Sequence, residues 1–246
     1  MIAGLPMYDR PGTTEANDAF WTLIRDELGF GPVALTRDID TWDLWLSPDL
    51  VLAQTCNLPY RMRLHGKVHL LGSPDYRLPG CPPGYYNSVL VARADDPRSL
   101  PELFGARVVI NQQHSQSGHV ALTEHGKTLG VAPTITGESG GHVLSSIMVA
   151  EDRADLAAID ALSWRLIERH DPDRAARLRT VDSTQPTPST PYITSLSQDA
   201  DTLRSALIRA IDRMDTELRE TLSIHGLVPL PERAYLDLPI PAPQPA

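Results

Sequence analysis

The sequence predicts an α/β protein of two lobes, each a mostly parallel sheet flanked by helices, joined by two crossover strands. Three observations lead there. Short apolar runs of strand length alternate with segments of helical periodicity, the pattern of parallel sheets whose connections are helices. The alternation halts at the rigid loop Pro79-Gly80-Cys81-Pro82-Pro83-Gly84 and restarts beyond it. A second proline-rich connection, Thr184-Gln185-Pro186-Thr187-Pro188-Ser189-Thr190-Pro191, leads into one more apolar segment and a long amphipathic helix.

Ile2 to Tyr8 reads as a first strand. Gly12-Thr13-Thr14-Glu15 opens a helix, with hydroxyls for its free amides and an acid at its positive end. Phe20, Trp21, Ile24 and Leu28 recur at helical spacing, and Gly29 closes the segment. Val33-Ala34-Leu35 reads as a second strand and residues 42–46 as a short helix. Leu50-Val51-Leu52-Ala53 has the continuous apolar character of a strand buried on both faces.

In the second lobe the expected order is strand 88–92, strand 107–110, helix 117–129, helix 141–151, strand 156–159 and helix 161–170, stopped by Asp171-Pro172. A strand at 179–181 follows. The last helix is expected unbroken from about Ala200 to His225. Its stripe is Leu203, Leu207, Ile211, Met214, Leu218 and Leu222, and Gly226 suits its left-handed cap. One lobe is then 1–87 with 197–246 and the other 94–190, with hinge strands near 88–93 and 192–196. Six prolines from Pro229 onward make 237–246 an expected unstructured tail.

Composition narrows the function. Acidic side chains outnumber basic ones 31 to 22, and Lys67 and Lys127 are the only lysines, so nucleic acid is excluded as a partner. No stretch approaches the roughly 20 apolar residues of a membrane span. Ile2-Ala3-Gly4-Leu5-Pro6-Met7 is too short and interrupted for the core of an export signal. The cytoplasm is therefore the expected compartment, with the periplasm as the alternative. Cys56 and Cys81 cannot build a disulfide framework; they read as reduced thiols, with a single bridge between them as the alternative. The eight histidines are scattered without zinc spacing, so neither metal nor cofactor is expected.

Three segments carry chemistry. Val108-Val109-Ile110-Asn111-Gln112-Gln113-His114-Ser115-Gln116-Ser117-Gly118-His119 reads as strand, polar loop and a helix opening at Ser-Gly. Free amides at a helix start hold anions without Lys or Arg; Ser115 and Ser117 add hydroxyl donors, and Gly118 leaves the backbone accessible. The bland alternative makes Ser117 a helix cap. Thr136-Gly137-Glu138-Ser139-Gly140-Gly141-His142 precedes a second helix, whose dipole disfavours a protonated His142. In Leu156-Ala157-Ala158-Ile159-Asp160-Ala161, Asp160 ends a buried strand, where it would face a cleft or cap the next helix.

Together these segments resemble the phosphonate/phosphite/phosphate-type substrate-binding proteins of ABC transporters. Tyr86-Asn87-Ser88-Val89-Leu90-Val91 and Gln54-Thr55 resemble further parts of that family, in order, over roughly residues 1–225. The resemblance implies a type 2 periplasmic-binding-protein fold that closes on a small anion, with an ABC transporter permease as partner and a monomer as the acting form. Carried over, Ser115, Ser117 and Gly118 would hold the anion's oxygens and His142 and Tyr86 would donate from other sides. Asp160 would meet an ammonium or hydroxyl of the ligand. Tyr8 and Thr55, at the ends of first-lobe strands, are placed by pattern. The family loop commonly reads Ser-Thr-Ser-Gly, and Gln116 replaces its middle hydroxyl with a longer amide. Two rival readings are a Ser115 or Ser117, His142, Asp160 hydrolase triad and a cytoplasmic lyase or biosynthetic enzyme on the same fold.

Overall fold

In a computed structural model that describes residues 1–241, the chain divides into two compact units. One is Met1–Tyr85 with Pro188–Leu238, and the other is built on Tyr86–Thr187. The chain begins with β1 (Ile2–Gly4), α1 (Thr14–Leu28), α2 (Thr41–Trp45), β2 (Leu50–Gln54), α3 (Asn57–Pro59), β3 (Val68–Pro74) and β4 (Tyr85–Tyr86). Next come β5 (Ser88–Arg93), α4 (Leu100–Phe104), β6 (Val108–Ile110), α5 (Ala121–Thr128), β7 (Ile135–Glu138) and α6 (His142–Ala150). They are followed by β8 (Leu156–Asp160), α7 (Ala161–His170), α8 (Pro172–Ala176), β9 (Leu178–Ser183) and β10 (Thr187–Pro188). The chain closes with β11 (Tyr192–Ser195), α9 (Ala200–Arg213), α10 (Thr216–Leu222), β12 (Leu227–Val228) and α11 (Arg233–Leu236).

The first unit holds a sheet of order β1-β2-β11-β3-β12. β1 and β2 are parallel, with Ala3 opposite Leu52, and β11 lies antiparallel between β2 and β3. Every residue of β2 is buried, as its unbroken apolar run demands. Phe20, Trp21 and Ile24 of α1 and Leu203, Leu207 and Ile211 of α9 bury the same unit's helical stripes. Gly72 adopts φ +141° in β3, and a Cβ there would lie 2.9 Å from the Val228 carbonyl, so glycine admits β12 to the sheet edge.

Three expectations fail here. Residues 33–35 are not a strand, and Val33 is 84% exposed. Trp21 Nε1 and Arg25 Nη1 donate to the carbonyls of Pro32 and Val33, so these acceptors serve α1 side chains. Thr36 N, donating to Ala3 O at 2.7 Å, ties the segment to β1. The last long helix is broken at Met214, where ψ is 131°. Asp215 then caps α10 by accepting from Leu218 N at 2.8 Å, a local bond that competes with helix continuation. Ser223, not Gly226, takes the left-handed position after α10. Of the expected unstructured tail, 242–246 lie outside the described residues.

The second unit's sheet runs β7-β6-β8-β5-β9. β6 is parallel to β7 and β8, whereas β5 is antiparallel to β8 and β9. The apolar residues of β5, β6 and β8 fill two cores, one under α6 and α7 around Val91, Val109, Ala157 and Ile159, the other around Leu90, Phe104, Val108 and Leu122. Below this sheet Asp155 accepts from Arg98 Nη2 at 2.7 Å, Arg107 Nε at 2.8 Å and Arg107 N at 2.9 Å. The hydrogen bonds from Arg107, and then those from Arg98, hold its carboxyl well below the usual range against the opposing effect of burial. No helix among the described residues is long and apolar enough to cross a membrane.

Candidate functional site

Parallel strands β6, β7 and β8 end on the same side of their sheet, and each leads directly into a turn or helix, the usual station for ligand-binding groups. Asn111 follows β6, Ser139 follows β7, and Asp160 is the last residue of β8. Ser139 N donates to Ile110 O at 2.9 Å and Gly140 N to Asn111 O at 2.8 Å, which fastens the turn after β7 to the end of β6. Gly140 has φ +92°, a left-handed conformation that aims the chain into α6 with His142 in its first position.

The loop after β6 ends at Ser115. Its Oγ accepts from Gly118 N at 3.1 Å, so Ser115 rather than Ser117 caps the helix. The first turn, Gln116–Val120, is a wide π turn in which Val120 N donates to Ser115 O at 3.2 Å. With capping assigned to Ser115, the Ser117 hydroxyl meets His142 Nε2 at 2.8 Å. Two helix starts thereby come into direct contact through their side chains. Ser88, opposite Asp160 in the β5–β8 ladder, donates from Oγ to Ser117 O at 2.9 Å and fixes the turn to the sheet.

Two more groups reach the same imidazole nitrogen. Asn111 Nδ2 lies 3.3 Å and Asp160 Oδ2 3.3 Å from His142 Nε2. Asp160 Oδ1 accepts from Ser163 N at 2.9 Å, so the carboxylate caps α7 with one oxygen and faces His142 with the other. Burial pushes the His142 pKa down, and this outweighs the Asp160 charge and the Ala158 carbonyl, which favour the protonated ring. The ring is therefore neutral near pH 7. Asn111 Nδ2 can only donate and Asp160 Oδ2 only accept. A ring with its proton on Nδ1 therefore takes hydrogen bonds from Asn111 and Ser117 at Nε2, whereas one with its proton on Nε2 donates to Asp160. Nδ1 has no well-formed hydrogen bond of its own.

This geometry argues against a hydrolase triad. A triad acid holds one ring nitrogen while the serine uses the other. Here Ser117 and Asp160 both approach Nε2, so Asp160 cannot orient the ring for proton abstraction from Ser117.

Gly118 has a steric role that its sequence context did not suggest. A Cβ there would lie 2.0 Å from Asn111 Oδ1, 2.5 Å from its Cγ and 3.1 Å from His142 Cε1. The Asn111 amide occupies that space, and its Oδ1 is buried without a hydrogen bond.

Of the residues expected from the sequence, Ser115, Ser117, Gly118, His142 and Asp160 form one cluster, and buried Gln116 lies in the same turn. Tyr86, also buried, stands two residues before Ser88. Tyr8 and Thr55 belong to the first unit. There Tyr8 packs edge-on against Tyr76 with ring centroids 5.5 Å apart, and Thr55 is wholly buried with Oγ1 donating to Cys56 O at 3.3 Å. Close by, Gln54 Nε2 donates to Tyr76 Oη at 2.7 Å and Thr190 Oγ1 at 3.0 Å. Cys56 and Cys81 are thiols, not joined by a disulfide. Asn111 and Ser88 were missed. The available sign was position: Asn111 follows β6 much as Asp160 ends β8. Among the described residues, no group of three or more His, Cys, Asp or Glu is placed to hold a metal ion.

Solved structures with this architecture include periplasmic binding proteins. PhnD1 from Prochlorococcus marinus, in complex with methylphosphonate, superposes with a TM-score of 0.77 at 14% identity, over 96% of this chain and 94% of that one. The binding-protein component PA3383 of an ABC phosphonate transporter from Pseudomonas aeruginosa gives 0.76 at 15%, over 96% and 83%. XAC2383 from Xanthomonas citri, bound to chloride, gives 0.71 at 16%, over 97% and 95%. These likenesses establish the fold class, a type 2 periplasmic-binding-protein fold.

The family follows from the sequence itself. Residues 63–235 match the model for the phosphonate-type periplasmic substrate-binding proteins of ABC transporters, and the chain belongs to that family. Membership implies a small ligand and a transporter partner, and makes the chain a transport binding protein, not the lyase or biosynthetic enzyme held open above. No curated protein matches the sequence.

Proposed function

We propose that the chain binds a small oxyanion of the phosphonate or phosphate kind at the carboxyl ends of β6, β7 and β8. The observation that carries this reading is the 2.8 Å contact between Ser117 Oγ and His142 Nε2, which brings the amide-rich starts of two helices together. Ser115 spends its Oγ lone pair on Gly118 N and keeps its hydroxyl proton for a ligand oxygen. Amides in the first turn of each helix have no intrahelical acceptor and point the same way as the helix dipole. Gln116 replaces a hydroxyl with an amide and would set the preferred anion. Asp160 suits a ligand that also carries an ammonium or hydroxyl group.

Tyr86 belongs to the proposed binding residues of the second unit, and Tyr8 and Thr55 are the candidates proposed in the first. Thr55 is the weakest member, because its hydroxyl already serves the Cys56 carbonyl. The acting form is a monomer, and family membership favours the periplasm over the cytoplasm expected from residues 2–7.

Calorimetry with phosphate, phosphite, methylphosphonate, methanesulfonate and acetate tests this. The account expects one ligand per chain for at least one phosphorus oxyanion. Ser117→Ala should weaken it by roughly 1–3 kcal/mol, the range of one charge-assisted hydrogen bond, without unfolding the protein. Absence of binding by every anion, in protein refolded free of carried-over ligand, would overturn the proposal.

A further inference from the structure

The cluster around His142 faces a charge conflict when an oxyanion arrives. Asp160, from the end of β8, is the one charged group acting on the ring among the described residues. Ser117 from the wide turn and Asn111 from the end of β6 are neutral, and α6 has no acidic residue in its first turn beside His142. An oxyanion at Ser117 would place a second negative charge within a few ångströms of the Asp160 carboxylate. Two like charges that close repel, and the more strongly the drier their surroundings. Among the described residues of the second unit, no Lys or Arg acts on the ring to absorb that repulsion. His142 and Asp160 are the two side chains of the cluster able to take up a proton, and His142 is the one that also touches Ser117.

Resting on the oxyanion reading above, we infer that this site takes up its ligand together with one proton, and that the proton lands on His142. On this inference the free ring carries its proton on Nδ1, so that Nε2 accepts from the Ser117 hydroxyl and the Asn111 amide. On binding, one proton from bulk water adds to the Nε2 lone pair and the neutral ring becomes an imidazolium. No other covalent bond forms or breaks, and the hydrogen bonds from Ser117 and Asn111 to Nε2 are given up. The new Nε2–H donates towards Asp160 Oδ2, already 3.3 Å away. Ser117, released from Nε2, turns its hydroxyl proton to a ligand oxygen. One event thus neutralises the Asp160 charge and converts Ser117 into a ligand donor.

The consequence is proton-linked affinity. A ring neutral when free and protonated when bound gives tighter binding as pH falls between its two pKa values, with a limiting slope of tenfold per pH unit.

The test uses the full chain with 15N-labelled histidine and inorganic phosphite as the probe, read by NMR. In free protein near pH 7 the His142 signals should show one protonated and one bare nitrogen. At saturating phosphite both nitrogens should be protonated. His142→Gln keeps a hydrogen-bonding side chain beside Ser117 but cannot take the proton. Its phosphite affinity should lose the part of the pH slope due to His142, while the slope from phosphite's own ionisation persists in both proteins. Phosphite bound with a neutral His142, or equal pH slopes in the two proteins, overturns this inference and leaves anion binding intact. Absence of phosphite binding by the wild-type chain, alongside binding of no other phosphorus oxyanion, overturns both.

Discussion

Substituting Gly118 by alanine tests how the site is assembled, because the space for the added methyl group is already filled. The new Cβ would sit 2.0 Å from Asn111 Oδ1 and 2.5 Å from its Cγ, well inside contact distance. The Asn111 side chain must therefore swing away, breaking its 3.3 Å contact with His142 Nε2. Overpacking of this kind costs about 2 kcal/mol, and the lost hydrogen bond adds about 1. Replacing glycine inside a helix returns about 1 kcal/mol in propensity. The net expectation is a destabilisation of about 2 kcal/mol, with weaker phosphite binding because His142 and Ser117 lose their support. Urea denaturation and calorimetry read the two effects. Adding Asn111→Ala to the Gly118→Ala protein removes the clash and should recover at least half of the lost stability, a coupling measurable as a double-mutant cycle. If Gly118→Ala is as stable as the wild type, or Asn111→Ala gives no recovery, the packing described here is wrong.

Other expectations follow from single residues. Asp160→Asn keeps a good helix cap and should cost under about 1 kcal/mol of stability, whereas Asp160→Ala loses the cap and should cost about 1–2; thermal unfolding compares them. Asp155→Ala removes a carboxylate shared by Arg98 and Arg107, which keep Asp96 and Asp152 as partners, and should destabilise the chain by about 1–2 kcal/mol in urea titration. Because Asp155 ionises below its unfolded value of about 3.9, the stability it adds is complete above that pH and is lost as pH falls below it, so wild-type protein should weaken there more steeply than Asp155→Asn. Gly72→Ala should loosen β12 from β3, seen as faster amide exchange at Val228, since no side chain fits 2.9 Å from the Val228 carbonyl.

Much of the fold was legible because burial writes directly into composition. Leu50-Val51-Leu52-Ala53 and Leu156-Ala157-Ala158-Ile159 are wholly buried, and their unbroken apolar character says so. Residues 33–35 are apolar too, yet side chains of α1 claim the carbonyls of Pro32 and Val33, a long-range competition no local pattern displays. The stripe from Leu203 to Leu222 continues across Met214 although the backbone does not, because packing tolerates a break that keeps the apolar side inward. At the site, Ser115, Ser117, His142 and Asp160 stood out through their places at helix starts and strand ends. Asn111 did not, since an asparagine after a strand reads as turn chemistry until Gly118 is seen packed against it. That Asp160 caps α7 and faces His142 at once was also beyond the sequence, which offers the two roles as alternatives.

The most direct measurement is amide chemical-shift mapping of the full chain titrated with methylphosphonate. The account predicts saturable shifts centred on Gln116, Ser117, His142 and Val143, the amides at the two helix starts, with lesser effects elsewhere in the second unit. Saturable binding that leaves those four amides unmoved would contradict it.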